Sequence, residues 1–519
     1  MSEGGVSSEL PEGWAWATLG EIADSVRNGI FVSRPGIEPD GVPILRIGAV
    51  RPLRLDLSDL RYSGQSVEEL HAADRLVLPG DLLFTRYNGN PELVGACTSV
   101  PDTAPPLTYP DKLIRVRVDR RIVLPEFVAY AFSWEGIRAQ VRKCVKTTAG
   151  QAGISGGELK GINLPVPSLE EQRRIVAALE ERLAQLTRGV ELLQASLRKL
   201  SAYGERLLLE ACNGKLLGLL PAAEQSAPST ADCIDGELSA LPEGWTWSRL
   251  GEFAEVVGGI TKDAKKQSDP ELPEVPYLRV ANVQRGRLDL SNIATIRAAP
   301  SKVSALTLQS GDVLLNEGGD RDKLGRGWIW EGQIEGCIHQ NHVFRARIHG
   351  GILNSKILAW HANSFGRHWF EVNGKQSVNL ASISLRKIKQ FPVPIPPQAH
   401  QERIVQEVER QLSVIESAEK IVRAALGRAT SLRRSLLAEA FAGRLVPQDP
   451  ADEPAAVLLD CIRAEREAAG VATSKRRSPR RAPAQRRNAP AADAPPLPRA
   501  DGPALATATQ PTLDLEMPS

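Results

Sequence analysis

The segment LPEGWAWATLGEIA beginning at Leu10 returns as LPEGWTWSRLGEFA beginning at Leu241, and this duplication limits the possible folds more than any other feature of the chain. The agreement continues in order. VPILRIGAV at Val42 matches VPYLRVANV at Val275, and GDLLF at Gly80 matches GDVLL at Gly311. LPVPSLEEQRRIV at Leu164 then matches FPVPIPPQAHQERIV at Phe391, and LLLEACNGKL at Leu207 matches LLAEAFAGRL at Leu436. A period of about 230 residues is far too long for a solenoid repeat, so each copy is expected to be a whole globular domain with an element of its own appended. The length of 519 residues agrees, because one hydrophobic core rarely organises more than about 300.

The appended element reads as a long helix. After Leu169, apolar residues fall at Val176, Leu179, Leu183, Leu186, Val190, Leu193, Leu197, Leu200 and Leu207, stepping by three and four with a gap at Gly204. That is the seam of a coiled coil. The second copy carries Val405, Val408, Leu412, Ile415, Val422, Leu426, Ala429 and Leu436 in the same register, broken at Glu419 and Arg433. Pro165-Val-Pro167 and the proline run from Pro392 to Pro397 can precede a helix but not lie within one. Asn213-Gly214 and Ala442-Gly443 mark the ends. Spans of about 44 residues at 1.5 Å per residue give rods of about 65 Å. Neither can bury its narrow stripe alone, so the two are expected to pair.

Between the rods lie short extended runs (VPILRIGAV, DLLFTRY and DKLIRVRV, then VPYLRVANV, DVLLNE and HVFRARI) separated by Gly, Pro, Asn and Asp, which reads as sheet-rich α+β. The expected division is a first domain over 1–164, a central helix over 165–216, a linker over 217–240, a second domain over 241–394, a C-terminal helix over 395–446 and a tail over 447–519. The tail, rich in Ala, Pro and Arg after Thr473, has little with which to form a core and is expected to be disordered.

Composition excludes several classes. With 42% apolar and 24% charged residues and no apolar run near the roughly 18 residues of a membrane helix, the chain reads as an ordinary globular protein with no membrane span. The start, MSEGGVSSELPEG, lacks the basic and apolar stretches of a secretory signal, which predicts a cytoplasmic location. The cysteines Cys97, Cys144, Cys212, Cys233, Cys337 and Cys461 are too scattered for a zinc or redox motif. Lys plus Arg number 64 against 62 acidic residues, so any nucleic-acid surface must come from uneven placement of charge.

Catalytic motifs are missing as well. The Pro-Pro pairs at APPL (Ala104), IPPQ (Ile395) and APPL (Ala494) lack the preceding Asn or Asp and the following aromatic of a base-flipping methyltransferase. The sequence has no phosphate-cradling Gly-x-x-x-x-Gly-Lys-Ser/Thr loop. Pro110-Asp111-Lys112 shares only a fragment with nuclease motifs and is not expected to be catalytic. His339 and His342 are close in sequence, but residues three apart on a strand face opposite ways, so no metal site is expected there.

The opening LPEGW-x-W-x-x-LGE of each half, the mid-domain GD-[LV]-L-[LF] and the proline turn leading into Q-[RE]-R-IV resemble the specificity subunits of type I restriction-modification systems. The resemblance runs from about Leu10 to Leu445. It implies two target-recognition domains, related by a pseudo-twofold repeat and separated by two long antiparallel coiled-coil helices, each domain reading one half of a split site in double-stranded DNA. The framework motifs agree between halves while FTRYNGNPELVGAC and LNEGGDRDKLGRGWIW differ, so the target is expected to be bipartite and asymmetric. The resemblance also implies two modification subunits, which bring S-adenosylmethionine and methylate adenine at N6, and restriction subunits that use ATP and Mg. Neither activity nor any cofactor is then expected in this chain, and the outer faces of the helices would dock the modification subunits.

Readers of DNA need amide or forked side chains for base edges and cations for phosphates. In the first domain the candidates are Arg86, Tyr87, Asn88 and Asn90, with Lys112, Arg115 and Arg117 as phosphate contacts. In the second they are Asn316, Arg321, Lys323 and Arg326, with His339, Gln340 and Asn341. Lys146, Thr147 and Gln151, and likewise Lys375, Gln376 and Ser377, lie just before the helices and are expected to clamp the DNA backbone. Trp14, Trp16, Trp245 and Trp247 belong to the shared framework and are expected to pack rather than stack on bases. KRRSPRRAPAQRR at Lys475 is either a solvated tail or a nonspecific DNA contact. Two other readings stay open: a self-contained methyltransferase or nuclease, against which the missing motifs weigh, and a coiled-coil adaptor that never touches DNA. The adaptor explains the rods but not two different basic-looped domains on one framework.

Overall fold

A computed structural model describes residues 10–32, 35–39, 41–148, 150–220, 238–376 and 381–475. Linker residues 221–237, Ser377 and the basic tail from residue 476 lie outside them.

Each domain is built on a four-stranded antiparallel sheet. In the first the order is Ala23–Asn28, Leu113–Val118, Leu82–Thr85, Cys97–Ser99; in the second it is Ala254–Gly258, Val343–Ile348, Val313–Asn316, Gly327–Ile329. The registers correspond: Val116 lies between Val26 and Leu82 as Ala346 lies between Val256 and Val313. The GD-[LV]-L-[LF] motif supplies the near-continuous apolar run of a strand covered on both faces. A two-stranded ribbon closes each unit on itself. Ala15–Thr18 pairs with Asn163–Val166, and Thr246–Arg249 pairs with Pro392–Ile395, so the W-x-W motif and the proline turn are two sides of one structure. Such a short ribbon tolerates proline because it has no central strand. Trp14 and Trp245 are buried, and their indole N–H groups donate to Glu171 Oε2 and His400 Nδ1, each at 3.1 Å.

The rods run Leu169–Cys212 and Gln398–Phe441, 44 residues each. Gly214 and Gly443 follow them with φ of +79° and +67°. A Cβ at either would come within 2.4 Å of Pro242 and 2.5 Å of Pro11 respectively, so both helix stops require glycine. The rods are antiparallel: Ala211 and Cys212 share a core with Ile404 and Val408 at the start of the second rod, and the Tyr203 hydroxyl donates to Gln411. Leu179, Leu207 and Val408 are buried, whereas mid-rod Leu186, Leu193, Leu197 and Leu426 are half-buried, as a seam covered by a single partner should be. Each rod leaves its own domain and ends on the other. Phe441 stacks on Trp134 and packs on Phe127 of the first domain, and Cys212 meets Ile357 of the second. The chain then closes into a ring, with Ala455 N–H donating to Gly13 O at 3.0 Å and Asp452 accepting from Ser168 Oγ (2.9 Å) and Arg174 Nη2 (2.7 Å).

The expected disorder from residue 447 is corrected in part, because residues 447–454 are ordered and Ala455–Lys475 is a helix. AAVLLDCIRAEREAAG is made of strong helix formers, and Pro454 precedes the first turn.

The glutamine of Q-[RE]-R-IV joins each rod to its domain. Gln172 donates to Ile122 O and Pro167 O and accepts from Leu124 N–H, at 2.9 to 3.0 Å. Gln401 does the same with Ile352 O, Pro396 O and Asn354 N–H, at 2.7 to 2.9 Å. Both are buried, so Gln172→Leu or Gln401→Leu would leave two carbonyls and an amide unpaired and lower stability by about 3 kcal/mol in a denaturant titration. A loss within experimental error would show that the clamp is dispensable.

The second domain also buries two histidines that the first replaces with Tyr109 and Ala131. His339 Nδ1 meets Val343 O at 2.7 Å and His361 Nε2 meets Pro392 O at 2.9 Å, and burial pushes both imidazoles down to about 4. The unfolded chain protonates them near pH 6.5, so between about 6.5 and 4 it binds more protons than the folded chain, and stability is lost as the pH falls. At pH 5 the loss is about 2 kcal/mol per histidine. Calorimetry at pH 7 and pH 5 should show the second domain melting earlier at the lower pH; an unchanged profile would contradict this.

Candidate nucleic-acid interface

Beyond the main sheet, each domain forms a small second sheet from segments far apart in sequence. In the first, Gln151–Gly153 lies between Lys146–Thr148 and Tyr87–Asn88; in the second, Ala381–Ser382 lies between Lys375–Gln376 and Gly318–Gly319. The residues expected after GDLLF and those expected before the rod are thus neighbours on one surface. A cleft of about 660 Å³ opens there in the first domain, lined by Tyr87, Asp111, Lys112, Lys146, Gln151 and Glu158. Arg86 contacts two of the lining residues, donating to Asp111 O at 3.2 Å with its guanidinium 4.7 Å from the centre of the Tyr87 ring. Lys112 and Thr147 are exposed. Asn88 and Asn90 use their side-chain oxygens to accept from the amides of Asn90 and Glu92, shaping the turn beside the cleft. Lys146 lies 2.6 Å from Glu158, whose carboxyl is held down to about 2 by that hydrogen bond and by Ser155.

The second domain puts different chemistry on the same frame. Glu317 N–H donates to His342 O as Arg86 N–H donates to Lys112 O, so Glu317 stands where Arg86 does and His342 where Lys112 does. Glu317 Oε2 and His342 Nδ1 are 2.7 Å apart, and Asn341 Nδ2 lies 3.3 Å from His342 Nε2. Gly318 and Gly319 replace Tyr87 and Asn88, leaving the edge without side chains. Lys323 pairs with Asp320, Arg321 reaches Glu371 O at 3.4 Å, and Lys375 is exposed. Gln340 is half-exposed, and so is Arg326, although its Nε is enclosed. A second cleft, of about 560 Å³, gathers Lys262, Lys266, Arg297 and Lys302.

Four expected contacts belong to the framework instead. Arg115 is fully buried and donates to Leu76 O (2.6 Å) and Asp74 Oδ1 (2.8 Å). Arg117 is engaged by Asp81 (2.8 Å) and Asp74 (2.9 Å), an arrangement repeated by Arg347 and Asp312 at 2.7 Å. Asn316 is buried where the first domain has Thr85 and donates to Val283 O at 2.9 Å. His339 is buried as described above. Sequence reasoning missed Asp111, Glu158, Glu317, His342 and the lysines of the second cleft. For Glu317 and His342 the signal was available, since they are the positions at which aligned strand ends differ in charge.

Residues 242–422 match a family model described as the type I restriction modification DNA specificity domain. The chain is 36% identical over 220 residues to the type I restriction enzyme EcoKI specificity subunit of Escherichia coli (strain K12), a match covering 42% of this chain and 45% of that protein, so it spans less than half of that relative. It is 25% identical over 477 residues to the StySPI specificity subunit of Salmonella potsdam, covering 89% of this chain and 97% of the relative. A solved chain from work on complex assembly and conformational transition of the type I R-M system shares the fold, with a TM-score of 0.62 at 18% identity over 84% of this chain and 99% of the other. Residues 242–422 thus match the type I restriction modification DNA specificity domain, and the chain as a whole is similar to the specificity subunits of type I restriction enzymes.

Proposed function

We propose that this chain is the noncatalytic, sequence-reading subunit of a type I restriction-modification complex, each domain reading one half of an asymmetric bipartite site in double-stranded DNA. The observation that carries the reading is one framework bearing two different surfaces: Arg86, Tyr87 and Lys112 against Glu317, Gly318 and His342 at matched backbone positions. Cations such as Lys112 and Lys375 suit phosphates, Gln151 suits adenine, and carboxylates such as Glu317 and Asp111 accept from cytosine N4. The rods set the distance between the readers. Their exposed apolar side chains, Leu192, Val414, Ile421 and Leu432, suit docking of two modification subunits, which would bring S-adenosylmethionine for adenine-N6 methylation. Restriction subunits would add ATP- and Mg-dependent cleavage, and the complex would work in the cytoplasm.

Mapping N6-methyladenine across the host genome, with and without this chain's gene, tests the reading. One asymmetric, two-part methylated motif should disappear on deletion; an unchanged methylome in a strain whose modification subunit is expressed would refute it. Within the first cleft, Glu158→Gln frees Lys146 to face phosphate. DNA affinity should then rise a few-fold, and the slope of log affinity against log salt should steepen by about one. Equal slopes for the two proteins would exclude Lys146 from the interface.

A further inference from the structure

The root of one loop has the same geometry in both domains, while the residues that follow it differ in kind. In the first, a Cβ on Gly29 would lie 2.1 Å from Pro110 O, so the backbone is pressed flat against that strand. Ile30 N–H donates to Tyr109 O and Ile30 O accepts from Asp111 N–H, both at 2.9 Å. The second domain repeats this with Gly259 against His339 O (1.9 Å), Ile260 N–H to His339 O (2.9 Å) and Asn341 N–H to Ile260 O (3.0 Å). The residue that follows the root is Phe31 in one and Thr261 in the other. Phe31 is 80% exposed, forgoing the stabilisation that burying its ring would contribute. It directly follows Ile30, whose carbonyl accepts from the amide of Asp111, and Asp111 lines the first cleft with Lys112. At the equivalent tip the second domain gathers Lys262, Lys266 and Lys302.

We propose that Phe31 is an apolar wedge that enters a base step in the half-site read by the first domain, while the lysine-bearing tip of the second domain holds phosphates of the other half without unstacking it. The inference rests on the DNA-reading role proposed above. Aromatic side chains part stacked bases when a rigid backbone holds them against the groove, and here the root supplies that rigidity. A tip position that is aromatic in one copy and followed by cations in the other suits one polyanionic, base-stacked ligand in both. Continuity with the Asp111 and Lys112 edge favours DNA over a protein partner as the occupant.

The test uses the chain assembled with its modification subunits and duplexes of the methylated motif, with 2-aminopurine placed singly at positions other than the methylated adenines. Binding should raise the fluorescence several-fold at one step in only one half-site. Phe31→Ala should abolish that rise and weaken binding by no more than about tenfold, the order of one lost ring-on-base contact, and Phe31→Leu should restore part of the signal. Tight binding without any unstacked step, or a rise that survives in Phe31→Ala, would overturn the wedge. So would a Phe31→Ala chain that keeps the signal but loses a modification subunit, which would assign the ring to a protein interface. If the wild-type complex binds the motif no better than random duplex, the DNA-reading role itself fails, a result distinct from specific binding without unstacking.

Discussion

A single buried carboxamide at the foot of each rod holds the architecture together. Gln172 and Gln401, each in the first turn of its rod, bind at once the proline turn and the loop entering an earlier helix (Pro125–Ala131 or Ser355–Asn363), using both amide protons and the oxygen. A carboxamide suits this junction because it donates twice and accepts once without bringing a charge into the interior. The lever makes the precision matter: over a rod of about 65 Å, an error of about 5° at the foot moves the far end by about 6 Å. The far ends are also held, by Phe441 on Trp134 and by Cys212 against Ile357, so each helix is fixed at two points by two different cores.

The buried ion pairs do a related job inside each domain. Asp81 with Arg117, and Asp312 with Arg347, fasten the turn before the GD-[LV]-L-[LF] strand to the neighbouring strand, and Arg115 and Arg345 lie fully buried beside them. Both halves keep these pairs while changing what surrounds the clefts. Removing one partner would strand a charge in the interior, whereas changing Arg86 to its counterpart Glu317 alters only a partly exposed edge. Stability and recognition are therefore carried by different residues on the same strands.

Most of the framework was legible in the sequence because it occurs twice. The rods, their proline starts and glycine stops, the packing of Trp14 and Trp245 and the sheet-rich domains all follow from patterns repeated in order. The same repetition marked Arg115 and Arg117 as framework, since R-x-R stands in LIRVRV and again in FRARI, yet positive charge alone suggested phosphate contacts. Asn316 and His339 were beyond a one-dimensional reading: each sits on or beside a central strand, and its burial depends on neighbours far away in sequence. The helix over Ala455–Lys475 was obscured by the low-complexity stretch that follows it. Of the cleft residues, Tyr87, Lys112, Lys146 and Gln151 were anticipated individually, but only strand pairing across more than fifty residues places them together.

The equal length of the two rods has a mechanical consequence. Two antiparallel helices of 44 residues, each fastened at both ends to a domain, form a closed frame in which neither side can lengthen alone. Four residues added to one rod would advance its end by about 6 Å and rotate it by about 40°, while its neighbour held both domains at the old separation. The frame would have to bow, or expel the insert as a bulge. A one-sided insertion is therefore opposed by the partner rod, whereas matched insertions in both halves would move the two reading heads apart without that strain.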